Sequence, residues 1–448
     1  MADTIFALSS GAVPSGVAVI RLSGPHVRSA LERLAGNVPV ARKASVRRLK
    51  DPVTGDVIDE ALVLFFEGPN SFTGEDVAEL QCHGGRAVVA RLLDVLSGLE
   101  GLRPAEAGEF TRRAFDRGRM DLTEVEGLAD LIAAETEAQR KQAVRQMGGA
   151  LGRLYDDWRK RLIHMRAMIE AEFDFADEDD IPGSVSDQVW GEAAALKREI
   201  EDHLVRSRSG ERLRSGLQVV LMGPPNAGKS SLLNALAGRD VAIVTEEAGT
   251  TRDVLEVHLD LGGYPVTLVD TAGLREEAGR VEQEGIRRAR ERGKAADLIL
   301  WAREPQGPAP AFGAGDEGFD WTEVPVWTVW TKSDLETPPK QDSSGTIKAI
   351  AASCTVPNGT DALLKALTGF ASETISVGEA PLATRQRHRH ALMSCAEVLG
   401  RAVDLSHLPG ELRAEELRQA ADCLGRITGR IDVEDLLDVI FRDFCIGK

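Results

Sequence analysis

At 448 residues the chain is too long for one ordinary hydrophobic core and is expected to hold roughly two to four domains. Its 43% hydrophobic and 28% charged residues make a globular composition, which excludes a largely disordered chain. The 54 Lys and Arg against 71 Asp and Glu give a formal charge of −17, so the overall field repels phosphate backbones and anionic membranes. A nucleic-acid role therefore requires a local basic patch or a basic partner.

No apolar run approaches the roughly 18 residues of a membrane span, and runs such as 61–66 read as buried strands, so no stable membrane insertion is expected. Residues 1–10 lack a basic stretch followed by an apolar one, so no signal peptide is expected. The five cysteines, Cys82, Cys354, Cys395, Cys423 and Cys445, form no CxxC pair and are odd in number. That pattern fits a reducing cytoplasm, predicts a cytoplasmic location, and argues against a disulfide or zinc framework.

Residues 1–118 mix strand-like runs at 17–22 and 61–66 with a helix at 87–96, which predicts an α/β domain. Residues 119–214 are helical, opened by Asp121 and Glu124 in capping-box spacing and interrupted at Gly148-Gly149. Leu151, Leu154, Trp158, Leu162, Met165, Ile169 and Phe173 form one apolar stripe, which reads as bundle core. Residues 215–375 alternate strand and helix and predict a parallel, doubly wound α/β domain. Residues 376–448 are helical again. The economical organisation is one all-α helical domain interrupted by the inserted α/β domain; the alternative is two separate bundles.

The strongest chemical signal is residues 223–230, Gly-Pro-Pro-Asn-Ala-Gly-Lys-Ser, directly after the strand 217–222 and before the helical run 231–236. Such glycines let backbone N–H groups wrap phosphates at a helix N-terminus, Lys229 reaches the β- and γ-phosphates, and the Ser230 hydroxyl ligates Mg²⁺. Three segments follow in GTPase order. Gly249-Thr250-Thr251-Arg252-Asp253 can supply a switch threonine. Asp270-Thr271-Ala272-Gly273 ends a strand at 266–269, where Asp270 can hold Mg²⁺ through water. Thr331-Lys332-Ser333-Asp334 ends the strand 324–330, and the Asp334 carboxylate can accept from both guanine N1–H and the exocyclic amine. Adenine lacks that donor pair, so the site should favour GTP. Ser353-Cys354, ahead of Gly359, stands where such domains back the base with a loop.

Leu274 occupies the position at which many GTPases carry a water-orienting glutamine, so the attacking water needs another group. Glu282, nine residues beyond Gly273, is a candidate, although spacing alone reads it first as a solvated carboxylate. Asn226 can hold a monovalent cation against the phosphates, a role spacing does not separate from that of an ordinary loop Asn.

The chain resembles, over nearly its whole length, the tRNA uridine-5-carboxymethylaminomethyl modification GTPases, the MnmE (TrmE) family. The resemblance rests on Asp3-Thr4-Ile5 with Ile20-Arg21-Leu22-Ser23-Gly24-Pro25, Ser71-Phe-Thr-Gly-Glu-Asp76 with Glu79-Leu-Gln-Cys-His-Gly-Gly85, and Gly108-Glu-Phe-Thr-Arg-Arg-Ala-Phe115 with Asp121-Leu122. The GTPase motifs and the tail Phe444-Cys445-Ile446-Gly447-Lys448 complete it. The resemblance implies an N-terminal folate-binding and dimerisation domain and a helical domain interrupted by a Ras-like P-loop GTPase domain. It implies a homodimer, and a heterotetramer or larger complex with an FAD-containing partner. That complex modifies C5 of the wobble uridine (position 34) of certain tRNAs, with methylenetetrahydrofolate, a reduced tetrahydrofolate derivative, as one-carbon donor.

The implied GTP contacts are Asn226, Ala227, Gly228, Lys229, Ser230 and Ser231; Thr245, Glu246, Glu247, Ala248, Gly249, Thr250 and Thr251; Asp270, Thr271, Ala272 and Gly273; Thr331, Lys332 and Asp334; and Ser353 and Cys354. Potassium matches Asn226, Thr245, Glu247 and Thr250, magnesium matches Ser230 and Thr251, and Glu282 positions water. Reduced folate matches Arg21, Glu79, Arg119 and Lys448. Glu282, Asn226, Lys229 and the tail's Cys445 are the catalytic candidates; Cys445 also reads as a buried small residue. Three departures from the family's pattern stand out. Residues 8–14 are altered, Arg119 stands where Lys is common, and Thr331 and Cys354 replace the usual Asn and Ala.

Three other features read first as structure: His83 as a turn after a buried strand, the acidic run 172–180 as a solvated helix end, and the basic cluster 385–390 as helix surface, with tRNA phosphate its sharper partner. The expected function is GTP hydrolysis driving a tRNA-modification complex. The alternative is a ribosome-assembly or signalling switch GTPase without modification chemistry.

Overall fold

The computed structural model describes residues 3–174, 185–224, 226–239, 241–243, 256–270, 296–305, 324–336, 348–375, 378, 380–404, 409–431, 434–442 and 444–447. The chain divides into two compact units, one of residues 1–129, 146–166 and 418–448, the other of residues 130–145 and 167–417.

The first unit opens with β1 (Thr4–Leu8), β2 (Ser15–Ser23), α1 (Val27–Ala35), β3 (Ser45–Lys50), β4 (Val57–Phe66), β5 (Val77–Gly84), α2 (Arg86–Ser97) and β6 (Leu102–Pro104). Its six-stranded sheet runs β3-β4-β5-β2-β1-β6 and is antiparallel except for the β1–β6 pair. Period-2 alternation puts Ile20, Leu22, Ala61, Val63, Phe65 and Leu80 on the face under α1 and α2, where Leu31, Leu34, Leu92 and Leu96 complete the core. On the opposite face Val19, Arg21, Leu62, Leu64, Glu79 and Gln81 are only half-buried.

Next come α3 (Glu109–Asp116) and α4 (Leu122–Ile132). The capping box ahead of α4 is formed reciprocally: the Asp121 N–H donates to Glu124 Oε2 at 2.8 Å, and the Glu124 N–H donates to Asp121 Oδ1 at 3.0 Å. Gly149, at φ +74°, separates α5 (Glu137–Met147) from α6 (Ala150–Asp174). The apolar stripe of α6 is Leu151, Tyr155, Trp158, Leu162, Met165 and Ile169, all buried. Leu154 is half-buried, because alternating steps of four and three from Leu151 land on Tyr155; the Phe173 side chain lies outside the described residues.

In the second unit α7 (Val185–Ser215) leads into β7 (Leu217–Met222), followed by α8 (Lys229–Ala237), β8 (Ala242–Ile243), β9 (Glu256–Leu261), β10 (Tyr264–Asp270), β11 (Leu298–Arg303), β12 (Val326–Trp330), β13 (Lys348–Ala351), α9 (Asp361–Thr374) and α10 (Gln386–Asp404). The seven-stranded sheet runs β13-β12-β11-β7-β10-β9-β8. Five strands are mutually parallel, as the doubly wound reading expects, and β9 pairs antiparallel with both of its neighbours. The cause is the turn Gly262-Gly263, at φ +67° and +91°, which reverses the chain into a hairpin.

Helices α11 (Gly410–Thr428) and α12 (Glu434–Arg442) complete the elements of the described residues. In the first unit Leu437, Phe441 and Phe444 pack with Leu122 and Val125. The tail then runs beside the N-terminal sheet. Ile446 bridges Ala107, and Ser9 Oγ donates to the Gly447 carbonyl at 2.8 Å. A Cβ on Gly447 would lie 2.3 Å from the Leu8 oxygen, so only glycine passes there. Among the described residues no helix is long and apolar enough to cross a membrane.

Candidate functional site

Strands β7, β10, β12 and β13 are parallel, so the segments that follow them share one edge of the sheet. After β7 the chain turns at Gly223, where a Cβ would lie 2.1 Å from the Ala302 oxygen. The loop curls around Lys229, whose Nζ donates to the Gly223 and Pro224 carbonyls, each at 2.9 Å. Left-handed Gly228 caps α8 without a side-chain acceptor, so the helix N-terminus keeps its N–H groups for an anion. Asn226 stands exposed on the loop at φ +64°. Ala227 is buried beneath it, and Ser231 is exposed on α8. Ser230 Oγ donates to Oδ2 of buried Asp270 at 2.9 Å, so two hard oxygen groups meet beside the loop.

The second wall follows β12 and β13. Thr331 is buried and donates Oγ1 to the Ala227 carbonyl at 2.7 Å, tying this wall to the phosphate loop. Lys332, at φ +54°, sends its ammonium to Glu304. Asp334 is exposed, and its two oxygens accept from Ser353 Oγ at 2.6 Å and Thr355 Oγ1 at 2.9 Å. Those hydroxyls hold its carboxyl below the usual carboxylate range. Thr355 was not singled out from sequence; the available signal was a second hydroxyl two residues after Ser353. Partial desolvation and then the Asp334 charge push the Cys354 thiol up. The Gly359 N–H donates to the Val356 carbonyl and its own carbonyl accepts from the Ser353 N–H, each at 3.0 Å, which fixes that loop.

Thr245, Glu246, Glu247, Ala248, Gly249, Thr250, Thr251, Thr271, Ala272, Gly273, Leu274, Glu282 and Lys448 lie outside the described residues.

In the N-terminal sheet Arg21 and Glu79 face each other across β2 and β5. Arg21 Nη2 approaches Glu79 Oε1 at 3.0 Å, and the guanidinium lies 5.6 Å from the Phe72 ring and 5.8 Å from that of Phe110. Arg119 is exposed, with its Cγ 3.5 Å from where a Cβ of Gly74 would stand, on the loop that also carries Phe72. Behind that loop, buried Glu75 pairs with Arg113 at 3.0 Å and with Arg117, and accepts from Ser23 Oγ at 2.7 Å. Cys445 is exposed, which excludes its reading as a buried small residue. His83 is also exposed, with Nδ1 2.8 Å from Asp59 Oδ1.

A strand, a lysine-filled glycine loop and a helix N-terminus, joined through Thr331 to a carboxylate wall, define a P-loop domain built for a guanine nucleotide. A family model described as the MnmE helical domain matches residues 122–445, and one described as the GTP-binding protein TrmE N-terminus matches residues 4–119. The tRNA modification GTPase MnmE of Brucella anthropi is 54% identical over 448 residues, covering 100% of this chain and 98% of that protein. The protein of the same description from Brucella melitensis biotype 1 is 54% identical over 446 residues, with the same coverage. The chain belongs to the MnmE (TrmE) family. A solved structure of an Aquifex aeolicus Era variant bound to GDP and aluminium fluoride matches 40% of this chain and 66% of that chain at 24% identity, with a TM-score of 0.28.

Proposed function

We propose that the chain is the GTPase of a tRNA-modification complex that acts on the wobble uridine. The observation that carries this reading is the single sheet edge that gathers Lys229, the Ser230–Asp270 pair and Asp334, in a chain 54% identical along its length to tRNA modification GTPases. Lys229 neutralises the β- and γ-phosphates, the α8 N-terminus donates to them, and Asp334 accepts from guanine. Ser230 and Thr251 would hold magnesium, which supplies charge neutralisation when bound; the oxygen pair Ser230–Asp270 suits that ion. Asn226, Thr245, Glu247 and Thr250 would hold potassium, and the exposed Asn226 at the rim of the phosphate loop supports this. Glu282 orients the attacking water in place of the missing amide.

A reduced folate would occupy Arg21, Glu79, Arg119 and Lys448. Carboxylate and guanidinium suit the pterin's amide-like edge and the folate carboxylates, and the exposed Phe72 adds an aromatic wall. The half-exposed apolar face of Val19, Leu62 and Leu64 supports a homodimer through the N-terminal sheet. The proposal retains the domain division at 118, 214 and 375, a cytoplasmic location and an FAD-containing partner. Mass spectrometry of wobble uridine in tRNA from cells lacking the protein tests it. Loss of the 5-carboxymethylaminomethyl-type modification is expected; an unchanged nucleoside profile overturns it.

A further inference from the structure

A carboxylate that recognises guanine must present both oxygens in the plane of the base, because N1–H and the exocyclic amine donate side by side. The torsion that turns a carboxylate about its Cβ–Cγ bond is broad, with no staggered well to hold it. A hydrogen bond to one oxygen therefore leaves the plane of Asp334 loosely set, whereas a bond to each oxygen defines it. The structure supplies one to each. Ser353 Oγ donates to Oδ1 at 2.6 Å, and Thr355 Oγ1 donates to Oδ2 at 2.9 Å. A carboxylate oxygen has two lone-pair sites, so the hydroxyls leave one on each oxygen for the two guanine donors.

Both hydroxyls are braced from behind. Ser353 is buried, and a Cβ on Gly359, whose carbonyl accepts its N–H, would lie 2.4 Å from the Ser353 oxygen. The Ser333 N–H donates to the Ala352 carbonyl at 3.3 Å, which ties the Asp334 loop to the Ser353 loop through the backbone. The Thr355 N–H donates to Ser353 Oγ at 3.3 Å, and the two hydroxyl oxygens lie 3.1 Å apart. That N–H already closes the turn between Ser353 and Thr355, so the turn does not require the Thr355 hydroxyl. The hydroxyl instead crosses to a carboxylate 21 positions away in sequence, on the loop after β12, and takes the oxygen that Ser353 leaves.

We propose that Thr355 is a positioning residue for base recognition: it sets the plane of the Asp334 carboxylate and so selects a purine that carries the exocyclic 2-amine. The inference rests on the reading of this wall as a guanine site and names the residue that sharpens its selectivity. Valine at 355 would keep the shape and the backbone turn but would free Oδ2 to rotate. A base that offers only N1–H needs one oxygen and tolerates that rotation. A base that offers both donors loses its second bond, so GTP should weaken more than ITP, whose hypoxanthine lacks the 2-amine.

The test uses the full-length protein and measures displacement of a fluorescent GDP analogue by GTP, ITP and ATP, for wild type, Thr355→Val and Thr355→Ser. Wild type should favour GTP over both ITP and ATP. In Thr355→Val the preference for GTP over ITP should fall roughly threefold to tenfold, the worth of one hydrogen bond, and Thr355→Ser should restore it. Losses of equal size for GTP and ITP would make Thr355 a brace for its loop alone and overturn the proposal, as would a Val variant with wild-type affinities. Either result in a protein whose wild type still prefers GTP leaves the guanine reading standing. A wild type indifferent between GTP and ATP overturns that reading and this inference with it, so the two failures are distinguishable.

Discussion

Thr331 donates its hydroxyl to the Ala227 carbonyl at 2.7 Å and so joins the base-recognising wall to the phosphate loop. The short hydroxyl makes the bridge because the end of β12 brings Thr331 against the loop, where a Cβ added to Gly228 would lie 3.7 Å from the Thr331 Cβ. Thr331→Val keeps the shape but strands a buried carbonyl, at a cost of about 1–3 kcal/mol. GTP affinity measured with a fluorescent analogue should fall roughly tenfold, while Thr331→Ser should remain close to wild type. Wild-type affinity in the Val variant would show that the bridge does not hold the loop.

Asp334 should confer preference for GTP over ATP, and Asp334→Asn should move preference toward xanthine nucleotide, since the amide donates where the carboxylate accepts. Ser353 and Thr355 lower the Asp334 pKa, so the charged form is fully present above the ordinary carboxylate range and is lost only as pH falls below it. Ser353→Ala should move that loss to higher pH, read as weaker GTP binding near the acid end of a titration. An unshifted pH profile would separate Ser353 from base recognition.

A buried histidine should make the second unit less stable as pH falls. His203 on α7 is 1% exposed, and its pKa is lowered from 6.5 to about 4 by desolvation, with the Arg206 and His388 charges adding to it. The folded state holds it neutral while the unfolded chain binds a proton below 6.5, so its contribution is complete above 6.5 and declines as pH falls from 6.5 to 4. At about 1.4 kcal/mol per unit this amounts to roughly 3 kcal/mol. Urea unfolding of His203→Gln should depend less on pH between 7 and 4 than that of wild type; parallel curves would remove His203 as the cause.

Local signals were legible in the sequence. The phosphate loop, the Asp121–Glu124 cap and the break at Gly149 each depend on residues within one or two turns, and each stands where spacing placed it. What was not legible depends on distant contacts. The second hydroxyl at Thr355 is visible two residues after Ser353, but only the fold brings it to Asp334, whereas the Gly262-Gly263 pair is a local hairpin signal for the antiparallel pairing of β9 with 264–270. The Arg21–Glu79 pair came through resemblance, while its physical basis is a cross-strand register fixed by the sheet. The basic cluster 385–390 reads from sequence as helix surface, whereas the fold pairs Arg385 with Asp130 and Arg389 with Glu211 on α7.

The last prediction concerns how GTP hydrolysis responds to monovalent cations. Asn226 occupies the left-handed region at φ +64°, a conformation Asn tolerates far better than most side chains and that Ala adopts with strain. Asn226→Ala would therefore mix loss of the amide oxygen with distortion of the loop. Asn226→Gly removes the oxygen and keeps the backbone free to hold its shape. If that oxygen is one of potassium's ligands, Asn226→Gly should lose most of the potassium stimulation of kcat while its GTP affinity stays near wild type, because the group acts chiefly on charge that develops in the transition state. Sodium, being smaller, should stimulate the wild type little, and Glu282→Ala should lower kcat in either salt. A potassium response retained in Asn226→Gly removes this residue from the cation site. Equal rates of the wild type in matched potassium and sodium buffers remove the cation from the mechanism, leaving Lys229 and the α8 N-terminus as the groups that neutralise the transferring phosphate.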